Sequence, residues 1–169
     1  IWGVNQAFSG PFAMKGLLKA KAEGVKFFMI DPRKTPTVQT LANTHLALRP
    51  GTDGALALGM IHILINENLY DKEFVTQWVN GFDELKEYVQ EFTPEKVAGI
   101  TGVPADKIIE ATRSFADGPT TLMVSAAPVV HHTNGNQNMR AVLTLVAITG
   151  NFDRPGGVVI PPPSLLPPD

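Results

Sequence analysis

The chain has 169 residues, 44% hydrophobic and 18% charged, which suits one globular domain and argues against disorder. Its 14 basic and 16 acidic residues leave a formal charge of -2 and are scattered, so no basic stripe exists to follow a nucleic-acid backbone. With no cysteine, the chain itself supplies no disulfide, thiolate metal ligand, iron–sulfur ligand or thiol nucleophile.

Residues 1–4 read as the end of an apolar strand. Gly10-Pro11 then opens a helix to about Glu23, expected to bury Phe12, Leu17 and Leu18, and Gly24 closes it. Residues 25–30 form an apolar run broken only by Lys26, the pattern of a strand covered on both faces, and Asp31-Pro32 ends it. Thr35-Pro36 begins a short helix, and residues 45–48 make a third strand that stops at Arg49-Pro50-Gly51. This alternation predicts a parallel sheet with right-handed crossovers.

Residues 55–65 are apolar but far short of the roughly 20 needed to span a bilayer, so they predict a central buried helix, capped by Thr52 or Asp53. Shorter helices follow as a helical insertion. Asp71 caps one carrying Phe74, Val75, Trp78 and Val79; Phe82, Leu85 and Val89 lie on another; Thr93-Pro94-Glu95 starts a third. Val103-Pro104 opens a helix to about Ala116 with Ile108, Ile109, Thr112 and Phe115 on one face. Residues 121–126 return as a strand, and a last helix runs from about Gly135 to Thr149. Gly156-Gly157 then turns the chain out towards Pro161-Pro162-Pro163 and Pro167-Pro168, an extended proline-rich exit over 161–169. No targeting pattern is visible at the amino end, and both ends are expected to be cut points in a longer chain.

Chemistry gathers at three expected strand ends. Gly3 lets the backbone approach a ligand and Asn5 offers an amide beside it; ordinary strand-to-helix turns use the same residues. Asp31 ends the next strand, roughly where dinucleotide folds hold ribose hydroxyls, although it could equally pair with Arg33 or cap the Thr35 helix. In Arg49-Pro50-Gly51-Thr52-Asp53, backbone amides and a hydroxyl face outward. The Asp53 carboxylate offers two acceptors that match the N1–H and N2–H2 edge of guanine, an edge adenine lacks; simple helix capping is the alternative. In an open parallel sheet such ends share one rim, where ligands bind. Only Gly3 and Gly10 fall in the first turn, so the G-x-G-x-x-G fingerprint of a nicotinamide dehydrogenase is missing.

Four separated blocks, W-G-V-N, V-K-F-F-M-I-D-P-R-K-T, L-R-P-G-T-D-G-A-L-A-L-G and H-T-N-G-N-Q-N-M-R-A-V-L-T-L-V-A-I-T-G-N-F-D-R-P-G-G, together resemble the molybdopterin oxidoreductase family. This is the dimethyl sulfoxide reductase-like group of formate dehydrogenases, nitrate reductases and thiosulfate or polysulfide reductases. The likeness extends through I-T-G-V-P-A-D-K-I and covers nearly the whole chain.

The resemblance implies an α/β fold: a Rossmann-like three-layer parallel sheet with helices on both faces and a helical insertion. Residues 1–160 would be much of the third domain of the large catalytic subunit, holding one guanosine arm of a molybdenum or tungsten bis(molybdopterin guanine dinucleotide) cofactor. On that likeness Asn5 approaches the phosphate or pterin, Asp31 the ribose and Asp53 the guanine, with Gly3, Arg33, Arg49, Gly51 and Thr52 around them. The turn His131-His132-Thr133-Asn134-Gly135 resembles the family segment that leads a helix towards the metal end of the cofactor, which makes His132 a cofactor-side candidate. Adjacent histidines on an extended segment point opposite ways, so they are not a metal pair, and no catalytic or metal-ligating residue is assigned to this chain.

The resemblance further implies that the remaining domains of the catalytic subunit are partners. It admits an iron–sulfur electron-transfer subunit, and a 4Fe–4S cluster bound elsewhere in the full-length enzyme. No nucleic acid or membrane contact is expected of this segment, weak self-association is, and the compartment, cytoplasmic or periplasmic, is left open. Where family members commonly have Ala-Asp before the third strand, this chain has Ala42-Asn43, which removes a charge and keeps hydrogen bonding. The competing reading is a stand-alone nucleotide-binding or interaction module with no redox role.

Overall fold

The computed structural model describes residues 1–158; the proline-rich exit expected over 161–169 and the last two positions of the expected domain lie outside them. The described residues form a mixed α/β structure, mostly helical, around a small parallel sheet. Strands β1 (Phe28–Ile30) and β2 (Thr44–Leu46) pair in parallel, with Met29 opposite His45 and Ile30 opposite Leu46. Trp2 forms parallel bridges to Ile30 on one side and Val124 on the other, which puts Val124, Trp2, β1 and β2 side by side.

The strands are shorter than expected for local reasons. Phe27 bonds Asn43 rather than a continuing ladder: its amide donates to Asn43 Oδ1 at 2.8 Å and its carbonyl accepts from the Asn43 amide at 2.9 Å. The strand expected over 45–48 ends at Leu46, because the Leu48 amide turns back to the Leu46 carbonyl and that of Arg49 goes to Thr101. The strand expected over 121–126 contracts to the single bridge at Val124, since the chain coils into α9 (Ala126–Val130) at once. The extended three-layer Rossmann-like sheet is therefore reduced to two paired strands and single bridges.

Helices follow the sequence pattern closely. Helix α4 (Asp53–Asn66) is apolar on nearly every side and buries ten of its fourteen residues, so it runs through the core. Around it pack α7 (Pro94–Thr101), α8 (Ala105–Ala116) and α10 (Gly135–Ile148). The strand pleat splits the core: Ile30 and Leu46 join the α4 cluster, while Met29 packs with Phe27, Val38 and Leu41 beside α3 (Pro36–Leu41). Asp71 caps α5 (Lys72–Trp78) through the Phe74 amide at 2.9 Å, and Thr93 caps α7 through Lys96, as expected. Helix α6 (Phe82–Tyr88) lies between them.

The first helical region differs from expectation. A short α1 (Gln6–Ser9) precedes α2 (Pro11–Ala22), and α2 buries no residue fully. Its contact stripe is Met14, Leu17 and Ala20, three residues apart, which turns Phe12 outward at 92% exposure and leaves Leu18 exposed as well. Among the described residues no helix is long and apolar enough to cross a membrane.

Candidate functional site

The carboxyl ends of the parallel segments meet along one edge of the sheet. Gly3 follows Trp2 at φ +64°, where a side chain is strained, donates its amide to the Ile30 carbonyl at 2.8 Å, and lies tight against Pro128, 3.0 Å from where a Cβ would sit. Behind this edge the Trp2 indole Nε1–H donates to Asp53 Oδ1 at 2.7 Å, and both residues are buried, Asp53 to 6% exposure. The strand end and the start of α4 are thus joined by a buried bond.

Asp31 is buried where β1 ends; its Oδ1 accepts from the Arg33 amide at 2.8 Å, closing the turn, and its carbonyl accepts from His45 Nε2 at 2.8 Å. The Arg33 side chain is exposed above that turn. Asn5 stands at the start of α1 without capping it, because its Oδ1 accepts instead from the Thr37 hydroxyl at 2.9 Å. Gly51 has φ +82°, and a Cβ on it would face His132 Nδ1 at 3.6 Å; His132 Nε2 donates to the Pro128 carbonyl at 2.9 Å. The loops carrying Gly3, Asp31, Gly51 and His132 are linked through Pro128, Ile30, Trp2 and Asp53.

Two expected residues face elsewhere or act locally. The Arg49 guanidinium donates to the carbonyls of Gly99 and Ile100 at 2.7 and 2.9 Å, where a cation suits the carboxyl end of α7. The Thr52 hydroxyl donates to the Arg49 carbonyl at 2.6 Å, so it closes the 49–52 turn, and neither Thr52 nor Asp53 caps α4 through its side chain.

Beside Gly51 and Thr52 opens a groove of about 590 Å³ whose polar side carries Asn134, Gln137 and Arg140 and whose apolar side includes Tyr88 and Phe92. Asn138, buried in its wall, leaves no room for a side chain on Gly54, so α4 and α10 approach closely where both begin. Sequence alone does not single out Trp2, Thr37 or this groove. The G-N-Q-N-M-R run at the start of α10 is the one signal for the groove, as polar residues recurring on a helix just after a histidine turn. Among the described residues no group of three or more His, Asp or Glu side chains is arranged to hold a metal ion.

A family model described as molybdopterin oxidoreductase matches residues 1–160. Formate dehydrogenase H of Escherichia coli K12 is 37% identical over 161 residues, which are 95% of this chain and 22% of that protein. A probable oxidoreductase of Bacillus subtilis 168 is 37% identical over 160 residues, 94% of this chain and 23% of that protein. Among solved structures, acetylene hydratase from Pelobacter acetylenicus superposes with a TM-score of 0.76 at 44% identity, covering 81% of this chain and 19% of that one. The chain thus spans less than a quarter of the length of each of these relatives.

Proposed function

Because the chain belongs to the molybdopterin oxidoreductase family, we propose that it is the segment of a larger oxidoreductase that holds the guanosine arm of a molybdenum or tungsten bis(molybdopterin guanine dinucleotide) cofactor. The observation that carries this is the edge where Gly3, Asp31, Gly51 and Asp53 gather, tied together by the Trp2–Asp53 bond. The donor set fits a nucleotide: positive-φ glycines at 3 and 51 admit close backbone approach, Asn5 offers an amide, and Asp31 and Asp53 are acceptors. Asp53 serves the guanine edge, Asp31 the ribose and Asn5 the phosphate or pterin, with Arg33 and Thr52 beside them and His132 towards the metal end. Arg49 acts indirectly, by holding its turn against α7.

The pterin-bound metal, when present, supplies the electron or oxygen-atom chemistry, and this segment supplies grip and orientation. The names of the relatives support that division. One is a formate dehydrogenase and another an acetylene hydratase, so the segment they share does not by itself fix a reaction. The opposite facing of Met29 and Ile30 into separate apolar clusters supports a Rossmann-like layering. The rest of the catalytic subunit, an iron–sulfur partner and any 4Fe–4S cluster belong to this proposal as components outside the chain, since it has no cysteine of its own.

Asp53→Asn in the full-length enzyme tests the guanosine role directly. Its amide oxygen still accepts from Trp2, while its NH2 group meets a guanine edge that is itself a donor. The purified variant is expected to lose guanosine nucleotide, measured after acid release; full nucleotide content would overturn the assignment. Asp31→Ala is expected to lose less, because water replaces a ribose contact more readily than a paired base edge.

A further inference from the structure

An asparagine amide can face a ligand with its oxygen or with its NH2 group, and the two choices suit opposite chemistries. At Asn5 the choice is made from behind. Thr37, in the first turn of α3, is fully buried, and its Oγ1 has two neighbours: the Ala7 backbone amide and Asn5 Oδ1, each at 2.9 Å. The Ala7 N–H can only donate, so it takes a lone pair of the hydroxyl. The hydroxyl proton is then left for Asn5, which must offer its oxygen. The flipped amide would leave the proton of this fully buried hydroxyl without an acceptor.

With Oδ1 committed to Thr37, the Asn5 NH2 group has no hydrogen-bond partner among the described residues, and Asn5 itself is half-buried, just beyond Gly3 at the edge described above. Two aimed N–H donors suit a group that only accepts, such as a phosphate oxygen, and repel a ring N–H. We propose that Thr37 is a positioning residue that fixes Asn5 as a hydrogen-bond donor to a phosphate of the bound nucleotide. This rests on the guanosine-site reading and adds to it the polarity of the phosphate contact and the residue that sets it.

Binding of GMP and of guanosine to the 169-residue chain, followed by titration calorimetry, separates the two claims. The native chain is expected to prefer GMP by about tenfold, the effect of one hydrogen bond to a charged group. Thr37→Val should bring that ratio close to one with guanosine affinity kept, and Thr37→Ser should restore it. A purely structural role would weaken both ligands together. Should Thr37→Val not fold, Asn5→Asp decides: it still accepts from Thr37 but turns an anionic oxygen outward, so guanosine should then bind better than GMP. A GMP preference that persists in the variants, or is absent from the native chain, overturns the role of Thr37 while leaving a nucleoside site intact. Failure of the native chain to bind either ligand overturns the site itself.

Discussion

The indole of Trp2 donates to the carboxylate of Asp53 at 2.7 Å across 51 positions of sequence, and it does so inside the core. A residue of the sheet edge thereby fixes the first residue of the most extensively buried helix, whose positive end also favours the carboxylate. Trp2→Phe keeps an aromatic ring but strands a buried acceptor. Loss of a hydrogen bond to a charged group predicts about 1.5–3 kcal/mol of destabilisation, read from urea unfolding. In the double variant with Asp53→Ala the losses should be clearly less than additive; full additivity would mean that the bond contributes nothing.

Gly59 owes its identity to Val97. A Cβ built on Gly59 meets the Val97 methyls at 2.8 and 3.0 Å, so α4 and α7 touch through the space a side chain would fill. Replacing a helical glycine by alanine ordinarily gains about 1 kcal/mol, whereas overpacking a tight contact costs about 1–3 kcal/mol. Gly59→Ala is therefore expected to lower the unfolding midpoint, and Val97→Ala in the same chain to recover part of it. A more stable single variant would show that Val97 yields freely.

The helices were legible in the sequence because their signals are local: Asp71 and Thr93 cap where expected, and the apolar run before Asn66 is buried on nearly all sides. The sheet was less so. Strand length depends on partners distant in sequence, and Asn43 and Thr101 take backbone bonds that a ladder would have used. Phe12 departs from expectation for a related reason: the stripe that packs is set by where α2 meets Phe27, Met29, Val38 and Leu41, not by which residues are most apolar. At the site, Asn5, Asp31 and Asp53 are recognisable as polar residues at strand or turn ends. Trp2 and Thr37, which orient two of them, look like ordinary core residues, because their partners lie 51 and 32 positions away.

Arg113 grips Glu67 with two bonds, Nε to Oε2 at 2.7 Å and Nη2 to Oε1 at 2.8 Å, tying α8 to the end of α4. Hydrogen bonding from Arg113 lowers the Glu67 pKa below its ordinary value, against a smaller opposing effect of desolvation. Since the folded pKa lies below the unfolded one, the contribution is present above the unfolded pKa and is lost as pH falls through the folded value. Glu67→Gln is expected to change stability slightly near pH 7, and by progressively less as pH falls through the folded pKa. Urea midpoints of native and variant chains that converge at neutral pH and diverge in acid would contradict it.

Phe8 and Phe12 stand 75% and 92% exposed on α1 and α2, next to the edge where the nucleotide is proposed to sit. A buried phenylalanine side chain is worth about 1.5–3 kcal/mol relative to an exposed one, so two of them favour contact with any apolar surface. In the full-length protein the remaining domains are the proposed cover; in the isolated chain the available surface is a second copy. The entropy lost on association offsets much of that gain, which predicts weak, concentration-dependent dimers. Sedimentation velocity over a concentration series should show the native chain associating and the Phe8→Ser/Phe12→Ser variant remaining monomeric. Because neither ring contributes to the core, unfolding stability should move by no more than about 0.5 kcal/mol per site. Equal association of both chains would move the sticky surface elsewhere, with exposed Trp78 on α5 the next to test.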